Sequence, residues 1–365
     1  MNDFRLWISA AGAFAITVAA VIGLRPIAYA VDLLDRPGGH KTHHGAVPVV
    51  GGLGMLLGLV FGLGSYSGAL GSLQPYVFSC VLLAVVGLLD DRFNLAPTLR
   101  LIAQFTAVLP MFFAAAVRVT SLGNLFGAGP IDVSGASLLA TAVVAMGAIN
   151  AFNMLDGLDG LAGGIALVAA ILMLFLPGIA SLPGSVLLLV VLAACIGGFL
   201  VFNIPVQWNR GIRCFMGDGG STVLGFSIAW LMIGACEGSA RVTAPVTMVW
   251  LVAVPASDLV WTVLRRLLRG QSPIRPDNEH MHHMLLRAGL GVRAVFTVMI
   301  GAATLCGAIG LYLERTSVPE TLSFILLVLA CFTLVAIGRR ASTLVGLLPE
   351  WILRSAFIRD RRVAP

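Results

Sequence analysis

The chain of 365 residues is too apolar to be a soluble protein. Hydrophobic residues make up 58% of it and charged residues 11%, and its formal net charge is +6 at pH 7. A chain of this composition cannot cover its surface with polar groups, so the bilayer must be its solvent. The basic residues fall in short loops between apolar runs and form no basic domain, so we expect no nucleic-acid partner.

Apolar runs long enough to cross a membrane recur along the whole chain. A helical span takes about 20 apolar residues. We place eleven spans near residues 6–24, 48–66, 73–89, 98–117, 134–152, 161–178, 185–203, 219–236, 245–263, 294–312 and 321–338. The first run is followed by Arg25 and Pro26 and not by a small-residue cleavage site, so we interpret it as a retained span. The predicted fold is all-α, a polytopic transmembrane helical bundle, with residues 1–346 as one domain.

The distribution of basic residues predicts the orientation. With the N-terminus in the periplasm, only Arg5, Arg118, Arg241 and Arg315 face outward, and all other basic residues lie on the inner face. The positive-inside rule favours this arrangement, which places the C-terminus in the cytoplasm. The last segment, 347–365, mixes apolar residues with arginines. It is either an amphipathic helix on the anionic inner leaflet or a disordered cytoplasmic tail.

Four chemically reactive clusters lie at the ends of apolar runs, all on the predicted cytoplasmic face. They are Asp90-Asp91, Asn153-x-x-Asp156-x-x-Asp159, Gly217-Asp218 and His280-x-His282-His283. Adjacent carboxylates near hydrocarbon are costly unless a metal, a cation or water offsets their repulsion. We therefore predict an active site built from the cytoplasmic loops 31–47, 90–97, 153–160, 204–218 and 264–293, in preference to acids that only mark the water boundary.

Polar residues at a spacing of three precede the sixth span. In helical geometry Asn150, Asn153, Asp156 and Asp159 would line one stripe. A stripe of carboxylate and amide oxygens favours Mg²⁺, with Mn²⁺ as a substitute, over zinc. Asp218 lies in a glycine-rich turn just before the span predicted over residues 219–236. At such a helix start, backbone N–H groups can face an anion.

The histidines lie in two cytoplasmic loops. They are His40, His43, His44, His280, His282 and His283. The last three form a His-x-His-His sequence without a nearby cysteine, and Arg265, Arg266, Arg269 and Arg275 lie close by in the chain. The nearby arginines favour contact of this motif with a phosphate, and a zinc site is the alternative.

Taken in order, these motifs resemble the polyprenyl-phosphate N-acetylhexosamine-1-phosphate transferases. These integral membrane enzymes move a sugar 1-phosphate from a UDP-sugar to a lipid phosphate. The resemblance covers nearly the whole chain. The matching residues are Leu34-Asp35-Arg36-Pro37, Lys41, Val47-Pro48-x-x-Gly51-Gly52, Asp90-Asp91-Arg92-Phe93, Asn150 to Gly160, Phe215-Met216-Gly217-Asp218 and His280-Met281-His282-His283.

Within that family, the histidine motif is more similar to the WecA-type branch than to the MraY-type branch. The resemblance implies transfer of GlcNAc 1-phosphate from UDP-GlcNAc to undecaprenyl phosphate in the bacterial cytoplasmic (inner) membrane, as the first membrane step of a cell-surface glycan. Another UDP-N-acetylhexosamine or UDP-MurNAc-pentapeptide stays open as the donor, and a homodimer stays open as the assembly. A secondary transporter is a more remote alternative, because transporters place coupling acids near the midplane.

The resemblance also implies roles for individual residues. The metal would be held by Asn153 and Asp218. Catalytic roles fall to Asp90, Asp91, Asp156, Asp159 and His280. Substrate-binding roles fall to Lys41, Asn150, Phe215, Arg265, His282 and His283. Asp90 and Asp91 would lie near the lipid phosphate, and Phe215 and Asp159 near the uracil. The chain departs from the family pattern at Asn94, where a third acid is common, and we exclude this position from the catalytic set.

Overall fold

The computed structural model describes residues 3–36, 45–66, 69–205, 212–237, 241–272 and 279–347. Nearly all regular structure in this part of the chain is helical, which confirms the predicted all-α class. The helices are α1 (Asp3–Ala30), α2 (Gly51–Ser65), α3 (Ala69–Phe93), α4 (Pro97–Leu109, continued by a π-helical turn over Pro110–Ala114), α5 (Ser137–Leu155), α6 (Leu161–Met173), α7 (Pro183–Asn203), α8 (Gly217–Cys236), α9 (Pro245–Leu251), α10 (Ala253–Leu268), α11 (Met281–Arg287), α12 (Val292–Arg315), α13 (Glu320–Arg339) and α14 (Ala341–Gly346).

Ten of the eleven predicted spans each coincide with one helix of this set, and the span predicted over residues 245–263 coincides with the pair α9 and α10. In the described ranges, eight helices are long and apolar enough to cross a membrane, namely α1, α3, α4 with its π-helical turn, α5, α7, α8, α12 and α13. The apolar helices α2 and α6 are shorter, with 15 and 13 residues. A polytopic membrane protein follows from this set, while the count of eleven crossings and the orientation stay predictions.

The span predicted over residues 245–263 is not a straight helix. It consists of α9 and α10, which meet at Val252 with a bend of 90°. Pro255 has no backbone N–H, so the carbonyl of Leu251 lacks its usual partner four residues later, and proline is tolerated in the first turn of the helix that follows. The bend sets α10 as a separate helix on which Asp258 and Arg265 are buried.

Helix α8 is the most enclosed of the candidate spans, with 83% of its apolar window buried inside the protein. Two glycine contacts bring neighbouring helices to its N-terminal turn. A Cβ on Gly87 of α3 would lie 2.2 Å from the Cα of Gly219, and a Cβ on Gly52 of α2 would lie 2.4 Å from the Cα of Gly220. Glycines in membrane helices allow such close backbone approach. This packing places the ends of three helices around Asp218.

Gly87→Ala is expected to separate α3 from α8, because the added methyl group would meet backbone atoms that no rotamer change can move. Overpacking of this kind costs about 1–3 kcal/mol. The expected result is a lower unfolding temperature in detergent. Gly234→Ala in α8 is the matched control, since no described atom lies within 4 Å of a Cβ at that position. Equal unfolding temperatures for the two variants would contradict the close approach of the helices.

A short pair of strands lies in the loop between α1 and α2. Strand β1 (Leu34–Asp35) pairs antiparallel with β2 (Val47–Pro48). Beside them the backbone N–H of Phe215 donates to the carbonyl of Pro48 at 2.9 Å, and the N–H of Gly51 donates to the carbonyl of Phe215 at 2.9 Å. The segment before α8 is therefore fixed against the start of α2.

Candidate active site

The N-terminus of α8 is the centre of the candidate site. The side-chain amide of Asn153, at the end of α5, donates to the carboxylate of Asp218 at 2.7 Å and to the hydroxyl of Ser221 at 3.0 Å. The carboxylate of Asp91, at the end of α3, accepts the backbone N–H of Asp218 at 3.0 and 3.1 Å. Residues from three helices thus meet within hydrogen-bonding distance, as the sequence motifs predicted.

Gly217 makes this meeting sterically feasible. Its φ is +76°, and a Cβ at this position would lie 2.5 Å from a carboxylate oxygen of Asp91 and 2.4 Å from a methyl group of Val49. Only glycine adopts this conformation without cost. The space that a side chain would fill is taken by the carboxylate of Asp91, which holds the first turn of α8.

Asp156 directly follows the last residue of α5, Leu155. Burial raises the pKa of its carboxyl group well above the ordinary value, and the neighbouring carboxylates of Asp218 and Asp91 raise it further. These interactions place the three acids in one electrostatic cluster. The cluster has an excess of negative charge, which a bound cation would offset.

The donor set fits a magnesium ion better than a zinc ion. In the described part of the chain, no three His, Cys, Asp or Glu residues are arranged to hold a metal ion, and a closed zinc site needs four such ligands. Magnesium is commonly held by one or two carboxylates and completes its shell with waters and substrate phosphates. The adjacent oxygen-bearing side chains of Asn153 and Asp218, beside the charge of Asp156, meet that requirement.

Asp90 is placed differently from Asp91. It is buried, one of its oxygens accepts the backbone N–H of Leu95 at 2.8 Å, and the other pairs with the guanidinium of Arg100 at 3.0 Å. Its carboxyl group also lies close enough to Asp218 to interact with it. Asp90 therefore closes the turn between α3 and α4 next to the acidic cluster. Arg100 was not among the predicted site residues.

Asn94 is the departure from the family pattern, and the structure gives it a backbone role. Its φ is +52°, in the left-handed region, and its N–H donates to the carbonyl of Asp90 at 2.8 Å. Asparagine and aspartate both tolerate this conformation better than most residues. Asn94 thus terminates α3, and asparagine can take this left-handed backbone conformation as well as aspartate can.

The predicted stripe before the sixth span was wrong beyond Leu155, because the helix ends there. Asn150 turns to α4, where its amide donates to the side-chain oxygen of Gln104 at 2.8 Å. Asp159 lies past the helix end and forms an ion pair with Arg213. Only Asn153 and Asp156 of the four residues have contacts or charge interactions with Asp218.

A second cluster surrounds the Asp159–Arg213 ion pair. The guanidinium carbon of Arg213 lies 5.2 Å from the centroid of the Phe215 ring, a cation–π distance. The side chain of Asn203 ties the two loops together, because it accepts the N–H of Gly160 at 2.7 Å and donates to the carbonyl of Cys214 at 2.8 Å. Phe215 and Asp159 are thus neighbours, with Arg213 between them.

The three histidines of the last motif form one group at the start of α11. The ring centroids of His282 and His283 are 4.1 Å apart, and His280 lies 6.0 Å from each. Burial lowers the pKa of His282 well below its ordinary value, and the two neighbouring imidazoles lower it further. A Cβ on Gly157 would lie 2.8 Å from the Nε2 atom of His282. The histidine group therefore packs directly against the loop that holds Asp156.

Helix α10 supports this group from behind. Arg265 is buried, and its guanidinium donates to the carbonyl of Glu279 at 3.0 Å and pairs with the Glu279 carboxylate at 3.2 Å. Asp258 accepts hydrogen bonds from His280 and from the backbone of Met281. Sequence reasoning missed Asp258, Arg100 and Arg213. A stripe of polar residues inside the otherwise apolar α10 was the available signal for the first of them.

Lys41, which we predicted to bind substrate, lies outside the described residues, as do Arg275 and the tail from residue 348 onward. Apart from Asn150, which binds Gln104, and Arg265 on α10, the other predicted site residues fall into three neighbouring groups. The acidic cluster contains Asp90, Asp91, Asn153, Asp156 and Asp218. The ion-pair cluster contains Asp159, Arg213 and Phe215. The histidine group contains His280, His282 and His283.

Comparison with known proteins agrees with the resemblance read from the motifs. Residues 73–235 match the model of glycosyl transferase family 4. The chain is 33% identical to the undecaprenyl-phosphate alpha-N-acetylglucosaminyl 1-phosphate transferase of Salmonella typhi, over 87% of each chain. The enzyme of the same name from Pasteurella multocida is 36% identical over 82% of this chain and 84% of its own, and that of Escherichia coli K12 is 34% identical over 87% of each chain. The chain therefore belongs to glycosyl transferase family 4, as a member of the polyprenyl-phosphate N-acetylhexosamine-1-phosphate transferases.

Proposed function

We propose that the protein transfers GlcNAc 1-phosphate from UDP-GlcNAc to undecaprenyl phosphate. The products are UMP and undecaprenyl-diphospho-GlcNAc, which stays in the membrane. The observation that carries the proposal is the meeting of Asp91, Asn153, Asp156 and Asp218 at one helix start. The relatives that match most of the chain are named as undecaprenyl-phosphate alpha-N-acetylglucosaminyl 1-phosphate transferases, which supports the choice of donor and acceptor. The reaction takes place at the cytoplasmic face of the bacterial inner membrane.

The lipid phosphate is a sufficient nucleophile without a base. One of its oxygens forms a bond to the β-phosphorus of the donor, the bond from that phosphorus to the bridging oxygen breaks, and UMP leaves with the electron pair. A phosphate monoester has a second pKa of about 6, so the nucleophile is already mainly dianionic at neutral pH. The engagement of both Asp90 oxygens with Leu95 and Arg100 supports a positioning role for Asp90 instead of proton removal.

Asn153 and Asp218 are the proposed magnesium ligands, with Mn²⁺ as a substitute ion. Bound there, the cation supplies charge neutralisation for the diphosphate. Asp91 fixes the first turn of α8, so its backbone N–H groups and Asp218 keep their places. Asp156 adds negative charge that strengthens cation binding. His282 packs against Gly157, next to Asp156, and the proposed contacts to the diphosphate or the sugar are His280, His282, His283 and Arg265.

The cluster of Asp159, Arg213 and Phe215 is the proposed uracil site. Phe215→Ala is expected to weaken UMP binding about 5- to 150-fold, because stacking of a base on an aromatic ring contributes about 1–3 kcal/mol and about 1.4 kcal/mol is a factor of ten in affinity. The measurement is isothermal titration of UMP into the detergent-solubilised protein. Phe105→Ala in α4 is the matched control, since Phe105 is 40% exposed on the helix surface. An unchanged dissociation constant for the Phe215 variant would refute the uracil assignment.

A side-by-side assay of three donors tests the proposed function. Purified protein, undecaprenyl phosphate and Mg²⁺ are incubated with UDP-GlcNAc, UDP-GalNAc or UDP-MurNAc-pentapeptide, and UMP release and the radiolabelled lipid product are measured. We expect stoichiometric UMP and lipid-linked GlcNAc from UDP-GlcNAc, and loss of both after chelation of Mg²⁺. Faster turnover with either other donor would overturn the proposed substrate. Full activity in excess chelator would overturn the metal assignment.

A further inference from the structure

We propose that Asp258 is a positioning residue that holds the proton of His280 on Nδ1 and so makes Nε2 the acceptor nitrogen that the ring presents to the substrate. The first part concerns the protein alone, and the second part rests on the proposed function. Asp258 lies on α10, outside the sequence motifs from which the site was predicted. It belongs to the middle of a helix that the hydropathy pattern assigns to a membrane span.

Asp258 is a buried carboxyl group with a defined pair of partners. Its side chain is 3% exposed. One oxygen lies 3.1 Å from Nδ1 of His280, and the other accepts the backbone N–H of Met281 at 2.8 Å. A carboxylate only accepts hydrogen bonds, so Nδ1 must carry a proton. Burial without such partners would cost several kcal/mol, so the arrangement is strongly specified.

One face of α10 binds three successive residues at the start of α11, namely Glu279, His280 and Met281. Asp258, Thr262 and Arg265 follow one another at spacings of four and three residues, which places them on one side of a helix. Arg265 holds the carbonyl of Glu279, and the hydroxyl of Thr262 lies 3.4 Å from Nδ1 of His280. The start of α11 and the orientation of the His280 ring are therefore set by α10.

The orientation matters for chemistry at a diphosphate. A neutral imidazole has one N–H and one acceptor nitrogen, and the partner of one nitrogen decides the state of the other. With Nδ1–H bound to Asp258, Nε2 is the nitrogen that can take up a proton. When it does so beside an anionic substrate, Asp258 is the counter-charge of the imidazolium, as carboxylates are in other carboxylate–histidine pairs.

Asp258→Asn tests this role because asparagine keeps the shape of the side chain but has one acceptor oxygen where aspartate has two. The backbone N–H of Met281 can only donate a hydrogen bond, so the amide oxygen of the introduced asparagine must face it. The amide NH₂ group must then face His280. Nδ1 then has to act as the acceptor, and the proton moves to Nε2. The tautomer is read by ¹⁵N NMR of histidine-labelled protein about two pH units above the ordinary imidazole pKa of about 6.5, with His280→Gln to assign the signal.

We expect protonated Nδ1 in the parent protein and protonated Nε2 in Asp258→Asn. We also expect kcat to fall at least about 10- to 100-fold, the size of the effect when a residue that orients a metal-bound histidine is replaced. The affinity for UMP, which lacks the β-phosphate, should stay the same. Ser257→Ala is the control, because the Ser257 hydroxyl is buried one residue away and donates to the carbonyl of Val254. It should change neither tautomer nor kcat.

Two results would overturn the role of Asp258. One is an unchanged His280 tautomer in Asp258→Asn, and the other is a loss of UMP affinity equal to the loss of kcat, which would indicate general unfolding. Failure of the proposed function has a different signature. The parent protein would then release no UMP from UDP-GlcNAc, while the NMR comparison would still report whether Asp258 sets the tautomer.

Discussion

Asp218→Asn is expected to reduce transfer about 100- to 1000-fold and to leave the fold intact. The amide keeps the volume of the side chain and its contact with Asn153, so packing around α8 changes little. It removes a negative charge from the proposed magnesium site, and loss of one preorganised electrostatic contact costs about 10²–10³ in kcat. The measurement is the initial rate of UMP release at saturating UDP-GlcNAc, together with the unfolding temperature in detergent.

The control for this variant is Asp132→Asn, the same chemical change at an exposed residue that caps Ser134 on the opposite end of the bundle. It should retain the parental rate. Raising Mg²⁺ should partly restore Asp218→Asn, because weaker binding is offset by a higher ion concentration. A rate within about threefold of the parent for Asp218→Asn would refute its assignment as a metal ligand, since the expected loss is at least about 100-fold.

Asp156→Asn is expected to have opposite effects on activity and stability. Transfer should fall about 100-fold, since the variant loses a charge from the catalytic cluster. The unfolding temperature should rise, because the neutral amide avoids the cost of ionising a buried carboxyl group next to Asp218 and Asp91. Such a gain at a functional residue is the usual relation between stability and activity at strained sites.

The sign of the pH dependence follows from the raised pKa of Asp156. Between the ordinary value of 3.8 and the raised value, the folded protein keeps a proton that the unfolded chain has lost. The stability of the parent therefore falls as the pH rises through that window, and Asp156→Asn removes this part of the fall. The difference in unfolding temperature between variant and parent should grow with pH. A difference that shrinks with pH would contradict the assigned environment of Asp156.

The sequence predicts the helices well, because membrane spans are set by hydropathy and length alone. Ten of the eleven predicted spans coincide with one helix each, and the eleventh is the bent pair α9 and α10. The bend at Val252 depends on the missing N–H of Pro255 and on packing that permits the break. Helix α1 continues through Pro26 to Ala30, beyond the end of the first predicted span near residue 24. A proline predicts a helix end only when nothing else holds the following turn.

The clusters of the site were predicted, but not the pairs inside them. Hydropathy predicts that Asn153, Asp218 and His280 lie at one membrane face, since all follow or precede spans of predicted parity. It gives no information on which side chains touch, because the partners are far apart in the chain. The ion pair of Asp159 with Arg213 and the contact of Asp258 with His280 depend on helix packing. For the same reason Asn150, which fits the spacing of the motif, binds Gln104 instead.

If the three clusters form one site on the cytoplasmic face, side-specific cysteine labelling will find all of them on the same side of the membrane. Single cysteines replace Asn94, Ile212 and Arg287, one exposed residue beside each cluster, and Phe126, which is 72% exposed in the loop at the opposite end. Each is compared with the parent, whose own cysteines are free thiols. In intact cells an impermeant maleimide should label only position 126, and in inside-out vesicles only the other three. Labelling of any of those three positions together with position 126 would show that the clusters do not share the cytoplasmic face.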